Sequence, residues 1–555
     1  MHSLLRPPFP SVSDLSLREQ IAQMIVVRAS GHLFDHQIQY PIWEPPAHRL
    51  EQWVDELGVG GVILLGGSAA EVGLRTQQLQ AWSRFPLLLA ADIEEGVGQR
   101  FEGATWFPPP MAIAHLAKQN RDTAIHNATQ LGAATAQEAI AIGLNWILAP
   151  VVDVNNNPDN PVINVRAFGD EPEIVGHLGA AFIRGAHQYP VLTSAKHFPG
   201  HGDTATDSHL HLPTLPHSLD RLQAVEMPPF RAAIAAGVDS VMSAHLLFPA
   251  LDSDYPATLS SAILTGLLRE ELGFDGLIVT DALVMGAIAH HYGKNEAAVM
   301  AVEAGADILL MPLDPEGVVN AVEQAVESGR ISPQRIQDSV ERIWWAKQRV
   351  APSPTEVDSS HAWETMPPPP LDLNPLSTPE TMALAGSILK QSMTVTVNAP
   401  LLSVDQGVNL IVLDDSLSAN FLGHHTAAIA TPHHYGYRDL LIVDRYTPGH
   451  AETWITESDV PILLQVFVRG SPFRGSAGLS GPPQKWLDTV LMSDRLTGLT
   501  IYGSPYMVDY MTSQRSQADC SATLPLVFSY GQMPMAQELA MASLFPRAIA
   551  SVVRL

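Results

Sequence analysis

The loop at residues 196–209 holds the densest group of side chains in this sequence that could do chemistry. It reads KHFPGHGDTATDSH and is too polar and too rich in glycine to continue a strand or to begin a helix. Asp207 and His209 are two residues apart, so in a tight turn the carboxylate can accept a hydrogen bond from one imidazole nitrogen and leave the other free. A histidine held in this way can protonate a leaving group and later accept a proton from water, which makes the pair a candidate general acid/base.

Zinc binding is the alternative use of this loop. Four histidines and two aspartates fall between residues 197 and 211, but their spacing matches no recognised ligand pattern. The single cysteine, Cys520, rules out both a cysteine-based zinc site and an intramolecular disulfide. We therefore expect neither a metal ion nor an organic cofactor.

Asp281 is the second candidate for chemistry. It ends an apolar run, Gly276–Thr280, and is followed by Ala282 and Leu283 rather than by turn-forming residues. A carboxylate placed beneath an anomeric carbon, with a separate acid/base, supports a retaining double displacement through a covalent glycosyl-enzyme intermediate. We therefore interpret Asp281 as a candidate nucleophile.

Eight short apolar runs, separated by stretches with helical spacing, must position these residues. The pattern predicts βα units and a (β/α)8 TIM barrel over residues 1–350, whose chemistry would lie at the carboxyl ends of the strands. The runs are Met24–Val27, Gly61–Leu65, Leu87–Asp92, Trp146–Val154, Val191–His197, Ser240–His245, Leu277–Leu283 and Ile308–Pro312. The ionisable residues that end them are Asp92, Asp153, Lys196, His197, His245 and Asp281.

The remainder of the chain reads as a linker and a smaller domain. Residues 351–378 are rich in proline and predict an extended linker. Residues 379–555 alternate strand-like and helical patterns, which predicts an α/β domain resembling an αβα sandwich. Its paired histidines are interpreted as polar loop residues: His424, His425, His433 and His434.

Three motifs resemble glycoside hydrolase family 3, specifically its two-domain β-N-acetylhexosaminidase branch. They are the loop at 196–209, the segment LIVTDALVM at 277–285, and NVRAFGD at 164–170, which follows APVVD at 149–153. The resemblance implies that His209 is the acid/base, that Asp207 orients it and that Asp281 is the nucleophile. It also implies removal of a terminal, non-reducing N-acetylglucosamine from a short glycan, as similar enzymes do with muropeptide fragments in peptidoglycan recycling.

The resemblance further implies a set of sugar-binding residues, which are Asp92, Arg100, Arg166, Lys196 and His197. One departure concerns the segment from Asp92 to Arg100. The family pattern has two glycines after its glutamate, whereas this chain has Glu95 and Gly96. A side chain at Glu95 could disturb a backbone conformation that glycine tolerates, and with it the placement of Arg100.

Charge excludes other classes of partner. The chain has 31 Lys and Arg against 57 Asp and Glu, a net charge of −26, which repels nucleic acid and anionic membrane surfaces. It contains no uncharged apolar run of about 18 residues, the length that a membrane span needs. No signal-peptide pattern stands at its start. The sequence therefore predicts a soluble cytoplasmic protein whose partner is a small glycan.

Three other readings stay open at this stage. Relatives with a His–Asp pair are proposed to use phosphate as the acceptor, which would make the protein an N-acetylglucosaminide phosphorylase. A β-glucosidase or xylosidase of the same family is the second reading, against which the Asp-Ser-His motif argues. The third is a sugar-binding protein on a retained barrel, although Asp207, His209 and Asp281 are all present.

Overall fold

The computed structural model describes residues 9–208, 212–350, 371–396, 401, 403–448, 454, 459–470, 476–517 and 524–545. His209 therefore lies outside the described residues, as does most of the predicted linker. The chain divides into two compact units. The first consists of residues 1–107, 120–156 and 167–382, and the second of residues 108–119, 157–166 and 383–555.

The first unit is built on eight strands: β1 Ile25–Ser30, β2 Gly61–Leu65, β3 Leu88–Ala91, β4 Trp146–Ile147, β5 Leu192–Phe198, β6 Ser240–Ser243, β7 Leu277–Val279 and β8 Leu309–Leu310. They follow the order β7-β6-β5-β4-β3-β2-β1-β8, and a parallel bridge between Val279 and Ile308 joins the two ends. The predicted (β/α)8 barrel is thus confirmed. Its strands are buried on both faces, which explains their nearly continuous apolar sequences.

The helices up to residue 350 are α1 Leu17–Gln23, α2 Ala47–Asp55, α3 Ala69–Trp82, α4 Pro110–Ala117, α5 Arg121–Ala141, α6 Pro172–Ala186, α7 Leu219–Ala224, α8 Met227–Ala235, α9 Gly286–Tyr292, α10 Glu296–Ala304, α11 Pro315–Glu327 and α12 Pro333–Val350, with a π-helix at Ala262–Glu271. Of these, α4 belongs to the second unit. Ser16 and Ser68 begin α1 and α3 with complete capping boxes, which satisfy backbone N–H groups that have no partner within the helix.

Two elements differ from their predicted extent. The fourth apolar run forms a ladder only at Trp146–Ile147, because Pro150 lacks an N–H for regular pairing. The run still follows β5, since Val152 N donates to Lys196 O at 2.8 Å. The segment from 220 to 236, which Ser218 precedes as a suitable N-cap, predicts one helix from its sequence. The structure has two helices there, α7 and α8, because the prolines in the first turn of α8 cannot continue a preceding helix.

The second unit is organised around six strands: β9 Thr394–Thr396, β10 Val408–Leu413, β11 Asp439–Val443, β12 Ile462–Val468, β13 Leu496–Gly503 and β14 Leu526–Ser529. Their order is β11-β10-β12-β13-β14-β9, and only β9 is antiparallel to its neighbour. The helices after residue 370 are α13 Pro379–Ser392, α14 Ala427–His434, α15 Pro482–Leu491, α16 Tyr506–Gln517 and α17 Pro534–Leu544. A separate α/β domain is therefore confirmed.

The paired histidines of this unit are exposed, but only two lie in a loop. His424 and His425 precede α14 in a turn, whereas His433 and His434 form the last turn of that helix. The loop prediction is wrong for the second pair. Pro432 obscured the helix in the sequence, since proline usually interrupts a helical pattern. Among the described residues, no helix is both long and apolar enough to cross a bilayer.

Lys347 on α12 is buried in the packing of the barrel. The residue is 1% exposed, and Nζ donates to Gln23 Oε1 at 2.6 Å. Nζ also lies 5.2 Å from the ring centroid of Trp344. Burial lowers the pKa of Lys347 to about 7, because the charged form loses its hydration in this environment.

A pH dependence of stability follows from Lys347. The folded protein binds fewer protons at this site than the unfolded chain between pH 7 and the ordinary lysine pKa, so stability rises with pH in that window. Relative to Lys347→Met, the wild-type free energy of unfolding is expected to increase by about 2 kcal/mol from pH 7 to pH 9. Urea unfolding at both pH values measures this change. Lys390→Met, at an exposed position of α13, is the control. If the free energy of unfolding of both variants changed equally between pH 7 and pH 9, the lowered pKa of Lys347 would be contradicted.

Candidate active site

Lys196 joins two segments at the carboxyl end of the barrel. It lies near the end of β5, and its Nζ is 2.6 Å from Asp92 Oδ1 and 2.7 Å from Glu94 Oε1. The side chains of Lys196 and Glu94 are each 1% exposed, whereas that of Asp92 is 33% exposed. Asp92 is thus held by a buried cation and keeps an accessible face, which suits it to accept hydrogen bonds from ligand hydroxyls.

Asp153 organises the start of the polar loop. The residue is buried, and its carboxylate accepts hydrogen bonds from His197 Nδ1 at 2.7 Å, from His197 N at 3.1 Å and from His201 N at 2.7 Å. Burial acts to raise the pKa of Asp153, but the attraction and hydrogen bonds of His197, together with those of His201, outweigh it and lower that pKa overall. A carboxylate satisfied in this way fixes the orientation of the His197 ring.

His201 anchors the middle of the same loop. Its Nδ1 is 3.0 Å from Thr204 Oγ1 and its Nε2 is 2.9 Å from Ser208 Oγ. Burial, and then the neighbouring His197, lower the pKa of His201 to about 4, so the ring is neutral at pH 7. Asp207 and Ser208 are also buried, so the loop is held down as far as the residue before His209.

Asp281 follows β7 after one residue, Thr280, and its side chain is partly exposed. The backbone N–H of Ala282 donates to Asp281 Oδ1 at 2.8 Å. His245, which is fully buried after β6, donates from Nε2 to the Ala282 carbonyl at 3.0 Å and contacts Thr258 Oγ1 through Nδ1 at 2.8 Å. His245 therefore positions the backbone on which Asp281 stands.

The segment from Asp92 to Arg100 accommodates its unusual glutamate. Arg100 Nε donates to the Asp92 carbonyl at 2.9 Å. The positive φ, +84°, falls on Gly96, and Glu95 keeps a negative φ, buried with its carboxylate 2.9 Å from Trp106 Nε1. The side chain of Glu95 therefore causes no conflict, since the strained backbone position is still occupied by glycine.

Arg166, the remaining predicted sugar-binding residue, belongs to the second compact unit. It ends a short 3-10 helix, Asn164–Arg166. Its Nη1 donates to the carbonyl of Val162 at 3.1 Å within the same segment.

Glu94 and His201 are two polar residues of this region to which the sequence alone assigns no role. A carboxylate two residues after Asp92 was visible in the Asp-Ile-Glu spacing. Residues two apart on a strand lie on the same face, so this spacing was a signal that could have placed Glu94 beside Asp92. No group of three His, Cys, Asp or Glu side chains with the geometry to hold a metal ion occurs in the part of the chain that the structure describes.

A cavity of about 730 Å³ lies at the other end of the barrel. Residues that precede β6 and β7 contribute to it, together with α12. Its arginines Arg342 and Arg349 are bound to the buried carboxylates of Asp307 and Asp239. Because barrel chemistry occurs at the carboxyl ends of the strands, this cavity belongs to the stabilising end of the fold.

Comparison with known proteins agrees with this architecture. Residues 16–346 match the glycosyl hydrolase family 3 N-terminal domain, and residues 401–546 match the bacterial glycosyl hydrolase family 3 C-terminal domain. Two curated relatives are 34% identical: a beta-hexosaminidase A from Pseudoalteromonas piscicida over 340 residues, 56% of each chain, and a beta-N-acetylglucosaminidase/beta-glucosidase from Cellulomonas fimi over 297 residues, 52% of each. The match thus spans about half the length of these two relatives.

A solved structure extends the likeness to both units. The family 3 beta-N-acetylglucosaminidase from Paenibacillus sp. str. FPU-7 is 29% identical, with a TM-score of 0.75 over 96% of this chain and 97% of that one. The first family model alone covers more than half of the sequence. The chain belongs to glycoside hydrolase family 3.

Proposed function

We propose that this chain is a retaining, exo-acting β-N-acetylglucosaminidase. The observation that carries the proposal is the arrangement at one barrel end, where the partly exposed Asp281 follows β7 and the Lys196–Asp92 pair joins β5 to β3. The names of the Pseudoalteromonas relative and the Paenibacillus structure support hexosamine as the substrate class. Asp281 lies at the carboxyl end of a barrel strand, which is where this fold places catalytic groups.

The candidate side chains, His209 among them, supply distinct parts of the reaction. Asp92, Arg100, Arg166, Lys196 and His197 are proposed to bind and orient the terminal sugar. Asp281 attacks the anomeric carbon and forms an ester as the glycosidic bond breaks, and the departing oxygen takes a proton from His209. His209 then removes a proton from water, whose oxygen attacks the anomeric carbon and releases Asp281 as a carboxylate.

His209 is assigned as this acid/base from the sequence, with Asp207 as the residue that orients it. In His209→Ala, kcat for a substrate with a poor leaving group is expected to fall about 10³-fold, and for an activated aryl glycoside much less, because only the poor leaving group needs a proton. Steady-state rates with both substrates measure the difference. An equal loss for both would contradict the acid role. His126→Ala, at an exposed position of α5, serves as the control.

Substrate and acceptor are tested together. Purified protein is given the 4-nitrophenyl β-glycosides of N-acetylglucosamine and of glucose, each with and without inorganic phosphate. Turnover of the acetamido sugar alone, independent of phosphate, is the expected result. Acceleration by phosphate with formation of a sugar 1-phosphate would establish a phosphorylase, and turnover of neither sugar would favour a sugar-binding protein.

Hydrolysis of β-glucosides is the second candidate function, and one observation favours it. The Cellulomonas fimi relative carries both activities in its name. Turnover of both glycosides in the same assay would support it. The natural substrate is proposed to be a short glycan of the muropeptide type, and a cytoplasmic location stays a prediction that cell fractionation would test.

A further inference from the structure

A group of aromatic side chains lies beside the barrel mouth on the segment after β1. The rings of Tyr40 and Trp43 stack with centroids 5.7 Å apart and planes 21° apart. The guanidinium of Arg28, from β1 itself, lies 5.0 Å from the centroid of Tyr40 and 5.3 Å from that of Trp43. We call Arg28, Tyr40, Ile42 and Trp43 the aromatic platform.

The aromatic platform is held in place and electrically neutral. Glu44 is 2% exposed, and its Oε1 accepts hydrogen bonds from Arg28 Nε at 3.0 Å and from Arg28 Nη2 at 2.7 Å. The buried carboxylate compensates the charge of Arg28 and fixes its position beside the two rings. A surface organised in this way loses little conformational freedom when a ligand binds.

The aromatic platform nevertheless faces solvent. Tyr40 is 44% exposed and Ile42 is 81% exposed. A cavity of about 210 Å³ lies next to them, and its lining includes Trp43, Trp53, Val284, Met311 and Pro312. Exposed apolar side chains gathered around a cavity are typical of a binding surface, since folding alone would bury them.

The cavity adjoins the proposed nucleophile. Val284 follows Asp281 by three residues, so their Cα atoms are at most about 11 Å apart. Leu283 N donates to Leu310 O at 2.9 Å, which keeps the end of β7 beside Met311. The cavity and Asp281 therefore share the barrel end at which the scissile bond would lie.

We infer that the aromatic platform is the subsite that binds the aglycone, and that its occupant is a pyranose ring. The inference rests on the proposed function. The C–H face of a pyranose packs on aromatic rings such as those of Tyr40 and Trp43, and Arg28 has donors for its hydroxyls. Glu44 already compensates the charge of Arg28, so the contact with the sugar ring does not need an anionic group on the aglycone.

The test compares two substrates that share the same terminal sugar. N,N′-diacetylchitobiose places a pyranose in the aglycone position, whereas N-acetylglucosaminyl β-fluoride places nothing there. The ratio of kcat/KM for the disaccharide to kcat/KM for the fluoride is measured. In Trp43→Ala this ratio is expected to fall about tenfold, the usual effect of losing a central tryptophan contact.

Two further variants separate binding from folding. Trp43→Phe keeps an aromatic face and is expected to restore most of the ratio. Trp345→Ala removes another exposed tryptophan, which is 49% exposed on α12, and is expected to leave the ratio at the wild-type value.

Each remaining outcome is decisive. An unchanged ratio in Trp43→Ala would overturn the subsite while leaving the proposed function intact, since wild-type turnover of both substrates would still be seen. No wild-type turnover of either substrate would overturn the proposed function and the subsite together.

Discussion

Replacing Asp281 with asparagine is expected to lower kcat on 4-nitrophenyl β-N-acetylglucosaminide by about 10⁴-fold or more, with folding preserved. The amide keeps the shape of the side chain and can still accept the hydrogen bond from Ala282 N, but it cannot form the ester that the retaining reaction requires. Initial rates and thermal unfolding of the variant measure the two parts of this expectation.

A control for the change of charge lies at the other end of the same strand. Asp275 precedes β7 and is exposed, so Asp275→Asn is expected to keep nearly wild-type kcat.

The role of Asp281 as nucleophile is tested further with Asp281→Ala and added azide. Azide should enter the vacated space and give a product of inverted configuration, because one displacement then replaces two. A retained product, or activity in Asp281→Asn close to wild type, would contradict the nucleophile assignment.

Replacing Asp153 with alanine is expected to lower both stability and activity. His197 Nδ1, His197 N and His201 N would lose their common acceptor inside the protein. We expect a loss of about 3 kcal/mol in the free energy of unfolding, the usual result of breaking a buried pair. We also expect kcat to fall about 10²-fold, because the polar loop and the His197 ring lose their orientation.

Asp239 provides a matched control for Asp153. It is also 1% exposed and accepts hydrogen bonds from His187 Nε2 at 2.7 Å and from Thr193 N at 2.8 Å. Asp239 precedes β6, however, and so lies at the end of the barrel without the candidate site. Asp239→Ala is expected to lose similar stability, measured by urea unfolding, yet keep the wild-type kcat per folded molecule. Equal losses of kcat in both variants would show that Asp153 acts through stability alone.

Much of the barrel was predictable because its strands are buried on both faces. Such strands are nearly continuous apolar runs, so Gly61–Leu65 has the same limits in the sequence and in the structure. The break between α7 and α8 shows the limit of this reasoning. Local preference predicts a helix after Ser218, and the prolines in the first turn of α8 decide where it is interrupted.

The second unit also has features that the local sequence predicts and features that it does not. Strand β12 runs from Ile462 to Val468, which are also the limits of a nearly continuous apolar run in the sequence. Arg166 illustrates the opposite case. Its place in the second compact unit depends on contacts within 157–166 and 383–555, and the sequence motif that contains it gives no indication of that association.

The sequence alone determined which polar residues end the barrel strands and which motifs they belong to, because burial and strand length are recorded in the local pattern of apolar residues. The tertiary structure decided which of them meet. Lys196 pairs with Asp92 across 104 positions of the chain, and His197 with Asp153 across 44. Closure of the parallel sheet brings these residues together, and the local pattern contains no information about contacts at such separations. The buried contacts of Glu94 and His201 became visible only in the tertiary structure.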